Sequence, residues 1–136
     1  MAFSNSFVEK ILTSPAHRIL SGSTVLIRYL GRRTGTEYTT PVQFAEAAVG
    51  LVVLVGKPDT KTWWRNFTDM GQIKVLRSGT WIPMTAHALR GVDDPSAVEP
   101  LLRSYALRFP KVVKSLDGNT LDERVRGAVV VWLRPA

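Results

Sequence analysis

The stretch LVGKPDTKTWWRNF, residues 54–67, sets two adjacent tryptophans, Trp63 and Trp64, among Lys57, Lys61 and Arg65. A second cluster, GRRTG at residues 31–35, carries Arg32, Arg33 and Thr34 between two glycines. Indole rings offer flat apolar faces, and guanidinium groups offer paired N–H donors that match a phosphate or a carboxylate. Gly56-Lys57-Pro58 runs into an expected helix start, where free backbone N–H groups favour anions. Together these residue types suit a flat ligand with an anionic tail. The plainer alternative is core packing for one indole ring and a solvated hairpin loop for GRRTG.

Catalysis by side chains alone has little to draw on. No cysteine occurs in the 136 residues, so there is no disulfide, thiolate nucleophile or cysteine zinc site. That composition fits a reducing, cytoplasmic setting. His17 and His87 fall in different expected elements, and neither GxSxG nor HExxH is present. A metal site would need denser His, Asp and Glu than the chain offers. GLVVLVGKP resembles a phosphate loop only superficially: its intervening residues are strand-like, and proline follows the lysine where Ser or Thr is required. No GxGxxG exists, which removes a dinucleotide fingerprint. Asp93-Asp94 is explained by helix capping.

The net charge is +7, and it is uneven. Residues 1–90 carry an excess of +6 and residues 91–136 only +1. The excess lies in the part holding both clusters, a field that favours an anionic partner. No apolar run approaches the ~18 residues of a membrane span, and the first twenty residues lack the pattern of a signal peptide. A weakly interfacial N-terminal helix leaves room for peripheral membrane contact, but packing onto the rest of the chain fits better. Charge and stacking tryptophans also raise nucleic-acid binding, yet no nucleic-acid motif accompanies them, so none is expected.

These residues need elements to hold them. Residues 4–20 read as a helix with Pro15 at a break or kink. TVLIRYL (24–30) reads as a strand, and EYTTPVQFAE (37–46) as a second, with Pro41 pushing it to an edge or a bulge. LVVLV (51–55) is short and wholly apolar, hence a strand buried on both faces. Residues 59–67 read as a short helix capped by Asp59 or Thr60. QIKVLRS (72–78) and TWIPMTAHALRG (80–91) form a hairpin around Gly79. Residues 94–109 read as a helix capped by Asp94, with Val98, Leu101, Leu102, Tyr105 and Phe109 as its apolar stripe. Pro100 requires a kink, or a helix that starts in earnest only there. GAVVVWLRP closes as a strand. About six mostly antiparallel strands and three helices point to a single α+β domain over 1–136, built on a small barrel.

In this order, GRRTGTEYTTPVQF, LVVLVGKPDTKTWWRNF and a closing VVVWLRP resemble the deazaflavin-dependent nitroreductase family, known chiefly from actinobacteria. Its members show a GR-[RK]-[ST]-G loop, a proline-containing strand, an apolar strand ending near glycine or lysine, and a W-[WY]-x-N-[LF] helix. The resemblance is firmest over residues 24–91. It implies a split β-barrel of the FMN-binding, pyridoxamine-phosphate-oxidase-like type. It also implies coenzyme F-420, an 8-hydroxy-5-deazaflavin with a phosphate and polyglutamate tail, rather than FMN.

Carried over by position, Arg32, Arg33 and Thr34 would contact the tail. Pro41, Val42 and Gln43 would line the ring from one strand, and Val55, Gly56 and Lys57 from the next. Trp63, Trp64 and Asn66 would wall the site. Trp63 and Tyr105 would shape the acceptor pocket. The chain departs from better-known members after Pro110, where Lys111-Val112-Val113-Lys114 replaces substrate-facing tyrosines, so the acceptor does not carry across.

The implied activity is hydride transfer between the reduced cofactor and a quinone, nitro compound or activated alkene. The cofactor would supply the difficult chemistry, and no catalytic side chain is assigned. The alternative is a split barrel that carries a flavin-like or lipid-like ligand without turnover. Either a monomer or a homodimer is compatible with the sequence.

Overall fold

The computed structural model of the chain describes residues 22–136. The expected N-terminal helix over 4–20, with Pro15 and His17, lies outside the described residues. The rest is built on one antiparallel sheet of seven strands: β1 (Thr24–Leu30), β2 (Glu37–Gln43), β3 (Ala45–Glu46), β4 (Leu51–Leu54), β5 (Gly71–Arg77), β6 (Thr80–Arg90) and β7 (Val129–Pro135). Their spatial order is β2-β1-β5-β6-β7-β4-β3.

That order explains the curl of the sheet. β2 and β3 stand at opposite ends of it, yet only Phe44 separates them in the chain. The segment expected as one strand over 37–46 is therefore divided. Its first part pairs with β1, where Pro41 faces Leu26, and its last two residues pair with β4, where Ala45 faces Val52. Phe44 is the point of exchange: its N–H still bonds Ser23 O at 3.0 Å, and its ring is buried inside. A sheet whose two ends are joined through one residue must curl into a barrel. Pro41 sits on β2, where the missing N–H costs no ladder bond on the open side.

Two apolar clusters hold the barrel. Alternate residues of nearly every strand, among them Val25, Ile27, Phe44, Val53, Val75, Ala86 and Val131, fill the interior. The outer face of β4 and β7 is covered by α1 (Pro95–Arg108), with Val98, Leu101, Leu102 and Tyr105 packed on Ala45, Val52 and Val130. β4 thus buries Leu51 and Val53 on one face and Val52 on the other, which is why its sequence is wholly apolar.

Local signals set the element ends. Ser78 and Gly79 both have positive φ, 50° and 81°, the pattern of the tight two-residue turn that joins β5 and β6. Asp94 caps α1 by accepting from Ala97 N–H at 3.3 Å. α1 starts at Pro95 and runs through Pro100 as one helix, so Pro100 does not mark its start. Proline there removes one internal N–H bond, and the buried stripe on the opposite face keeps the helix in place.

The short helix expected over 59–67 is two separate 3₁₀ turns, Pro58–Thr60 and Trp63–Phe67. Neither Asp59 nor Thr60 caps it. The first turn follows Lys57 in a left-handed conformation with φ 49°, and Lys61 between the turns is extended. Thr60 Oγ1 donates instead to Lys57 O at 2.8 Å.

Two short helices were not expected, α2 (Pro110–Lys114) and α3 (Leu121–Gly127). Thr120 caps α3 by accepting from Glu123 N–H at 3.2 Å. Gly91 is where β6 leaves the barrel, and a Cβ there would collide with the Val125 carbonyl of α3. Among the described residues no helix is long and apolar enough to cross a membrane.

Candidate functional site

The arginine loop is tied down before any ligand is considered. Gly31 and Gly35 close it, with Gly35 N–H on Gly31 O at 2.8 Å and Gly31 N–H on Thr36 O at 2.8 Å. Gly35 has φ 69°, a conformation few other residues adopt, and a side chain at Gly31 would press on the Tyr38 ring. Asn66 reaches across from the second 3₁₀ turn. Its Oδ1 accepts from Arg32 N–H at 2.9 Å, and its Nδ2 donates to Trp63 O at 2.8 Å. The two clusters singled out in the sequence are thus one structural unit.

Between them lies a cleft of about 440 Å³. Arg32, Arg33, Lys61 and Arg65 line it, and among the described residues no carboxylate does. Its floor is aromatic: Tyr29 stacks on Tyr38 at 5.7 Å and meets Phe67 edge-on at 5.4 Å, and Trp63 meets Phe67 at 6.5 Å. Burial raises the Tyr29 phenol above its ordinary value, more than its hydrogen bond with Thr40 lowers it, and Tyr38 adds a smaller upward push.

A second cleft, about 1030 Å³, continues from the first. Thr40, Thr60, Lys61 and Trp63 line both, so the two form one groove with a small cationic lobe and a large one. The large lobe lies between the barrel and the helices that cover it. Pro41, Val42 and Gln43 of β2 form one wall, and Val55, Gly56 and Lys57 after β4 form another. Lys61 Nζ lies over Gly56, where a Cβ would meet it at 3.7 Å.

Tyr105 of α1 closes the lobe and donates from its hydroxyl to Gln43 Oε1 at 3.3 Å. Burial raises the Tyr105 phenol above its ordinary value. The far wall comes from α2, α3 and their connection, with Val112, Ser115, Leu116, Asp117 and Arg124.

The structure brings together Arg32, Arg33, Thr34 and Asn66 in the small lobe, and Pro41, Val42, Gln43, Val55, Gly56, Lys57 and Tyr105 in the large one. Trp63 borders both. Trp64 lines neither lobe. It is 3% exposed, packs in the barrel interior and donates from Nε1 to Pro58 O at 3.0 Å, with Arg65 over its ring at 4.7 Å. Its position is that of a structural residue holding the loop between the two 3₁₀ turns.

Sequence reasoning passed over Tyr29, Tyr38, Thr40 and Arg124, and noted Lys61 only as one cation of a cluster. The tyrosines and Thr40 sit in ordinary strand patterns that carry no local signal of a cleft. Arg124 follows a Thr120-x-x-Glu123 capping pattern, which does announce a helix.

A model of the F420H(2)-dependent quinone reductase family matches residues 5–107. No curated protein matches the chain in sequence. Among solved structures, the heme storage protein HutZ from Vibrio cholerae is similar in fold, with a TM-score of 0.54 at 12% identity. That alignment covers 97% of this chain and 89% of the other. A structure described as a domain-swapped dimer aligns at 15% identity with a TM-score of 0.49, over 93% of this chain and 97% of that one. The first of these similarities supports the split-barrel architecture. The family match spans most of the sequence, including the arginine loop, both strand walls and the tryptophan segment: the chain belongs to the F420H(2)-dependent quinone reductase family.

Proposed function

We propose that the protein is a deazaflavin-dependent oxidoreductase that binds coenzyme F-420 along the groove and passes hydride to a small electrophilic acceptor, a quinone, a nitro compound or an activated alkene. The observation that carries this reading is the division of the groove. A lobe with four cations and, among the described residues, no carboxylate opens directly into a larger lobe walled by Pro41, Val42 and Val55. A flat ring with a phosphate and carboxylate tail has the same division of properties, so the residues fit the group.

When bound, the cofactor supplies the hydride chemistry. The protein's part is binding, orientation and exclusion of water. Arg32 and Arg33 offer paired donors to the tail oxygens, and Thr34 adds a hydroxyl beside them. Pro41, Val42 and Val55 give the ring an apolar berth, and Gly56 allows it to approach the backbone closely. Trp63 separates tail from ring. The Tyr105 hydroxyl holds the Gln43 amide in place at the ring edge. No nucleophile or metal is asked of the protein.

The test is turnover. Reduced deazaflavin is mixed with the protein and a panel of quinones, nitroarenes and enones, and return of the oxidised cofactor's absorbance is followed. Acceptor-dependent oxidation above the protein-free rate is expected. Binding without turnover across the panel would leave a non-catalytic carrier. The fold similarity to a heme storage protein favours examining that second reading with hemin. Among the described residues neither lobe is lined by histidine, cysteine or methionine, and tyrosine is the customary iron ligand they offer. A hemin titration that leaves the porphyrin spectrum unchanged is the expected result.

A further inference from the structure

The described arginines fall into two groups. Arg28 pairs with Glu37 and lies over Trp81, and Arg77 pairs with Glu46. Arg90, Arg103 and Arg126 each hold a carboxylate close by in sequence. Arg65, Arg108 and Arg134 lie over aromatic rings. Arg32, Arg33 and Arg124 alone have no carboxylate, carbonyl or ring for their guanidinium among the described residues. All three line the groove. The first two belong to the tail site already proposed.

Arg124 does not. It stands on α3, in the wall of the large lobe formed by the helical layer, beside Ser115 and Leu116. Its Nε is shut off from solvent and has no hydrogen-bond partner among the described residues. The position is also held firmly: the neighbouring Val125 is buried in the outer core, and Thr120 caps the helix. Asp59 and Asp117 line the same lobe, and neither forms an ion pair with Arg124. A guanidinium in the wall of a cleft, with no carboxylate of its own among the described residues, suits an oxygen anion brought by a ligand to its N–H groups other than the enclosed Nε.

We infer that Arg124 recognises the acceptor, and that the large lobe selects planar acceptors carrying an acidic oxygen, a carboxylate or an ionised enol or phenol. This rests on the reading above, in which the ring lies against β2 and the end of β4 and leaves the helical wall to the acceptor. Its specificity is separate from that of the tail arginines, because Arg124 lines only the large lobe.

Calorimetric titration with two probes of one ring system tests it: lawsone, a hydroxynaphthoquinone that is an anion at neutral pH, and menadione, its uncharged methyl counterpart. Each is titrated with and without oxidised coenzyme F-420. Wild type is expected to prefer lawsone by about tenfold, the worth of a charged hydrogen bond. Arg124→Gln should lose the preference by weakening lawsone alone. Arg124→Lys, which keeps the charge without the planar fork, should retain only part of it. Arg32→Ala/Arg33→Ala should keep it.

A wild type without the preference, or an Arg124→Gln variant that keeps it, overturns the inference. Cofactor binding, measured separately, should be the same in Arg124→Gln as in wild type. Absence of cofactor binding in wild type would overturn the deazaflavin reading, while the lawsone preference would still decide the role of Arg124.

Discussion

The side-chain oxygen of Asn66 accepts the backbone N–H of Arg32 at 2.9 Å, joining two segments 34 residues apart. The same amide holds Trp63 O at 2.8 Å. One side chain therefore sets both the arginine loop and the indole that borders the groove. Asn66→Ala removes both bonds. The expected outcome is cofactor affinity reduced by about tenfold, the equivalent of one to two net hydrogen bonds. Fluorescence titration of the variant against wild type measures it, and unchanged affinity would deny the clamp a part in binding.

The small lobe contains four cations and, among the described residues, no counter-charge, so its attraction for an anionic tail should depend on salt. Arg32→Ala/Arg33→Ala should weaken coenzyme F-420 by at least about tenfold at low ionic strength, given two charged donors in a solvent-exposed loop. Wild-type affinity should fall as salt is added, and that of the double variant should fall less steeply. Equal slopes would place the tail elsewhere.

Trp63 and Trp64 are adjacent in sequence and opposite in circumstance. Trp63 is half-buried and borders both lobes, while Trp64 is buried with its Nε1 on Pro58 O. Trp63→Phe should diminish the ligand-induced quenching of intrinsic fluorescence and leave the melting temperature nearly unchanged. Trp64→Phe should cost about 1–2 kcal/mol in denaturant unfolding, from a lost hydrogen bond and lost packing, and should retain the quenching. The reverse pattern would exchange their roles.

Burial raises the phenols of Tyr29 and Tyr105 above the ordinary value of 10.0. The folded state holds these protons more tightly than the unfolded chain. Their contribution to stability is therefore fully present below about pH 10, and is lost as pH rises through the folded values. Unfolding free energies measured from about pH 8 to about pH 11 should decline at the alkaline end, and Tyr105→Phe should make that decline shallower. A decline unaltered by the substitution would assign it to other groups.

Much of this molecule was legible because some residues report their surroundings locally. LVVL reads as a strand covered on both faces, Gly79 between two strand-like runs as a hairpin turn, and Asp94 before Pro95 as a helix start. Other features depend on distant partners. Nothing within EYTTPVQFAE says that its two halves pair with different strands at opposite ends of the sheet; that follows from barrel closure at Phe44. The two 3₁₀ turns in place of one helix follow from Lys57 in a left-handed conformation and from the Trp64 bond to Pro58, neither of which spacing reveals.

The candidate site divides in the same way. The GRRTG loop and the WWRN segment are visible as clusters of residue type. Tyr29, Tyr38 and Thr40 join them only because β1 and β2 lie side by side. Arg124 was hidden in a seven-residue helix too short to show periodicity, although its capping pattern was present in the sequence.

The most direct test of the central claim is an equilibrium titration of purified protein into oxidised coenzyme F-420, followed by the cofactor's fluorescence, with FMN alongside. Saturable binding of the deazaflavin, tighter than that of FMN and weakened in Arg32→Ala/Arg33→Ala, is the expected result. Binding of FMN alone, or deazaflavin binding undiminished by the double substitution, would contradict it.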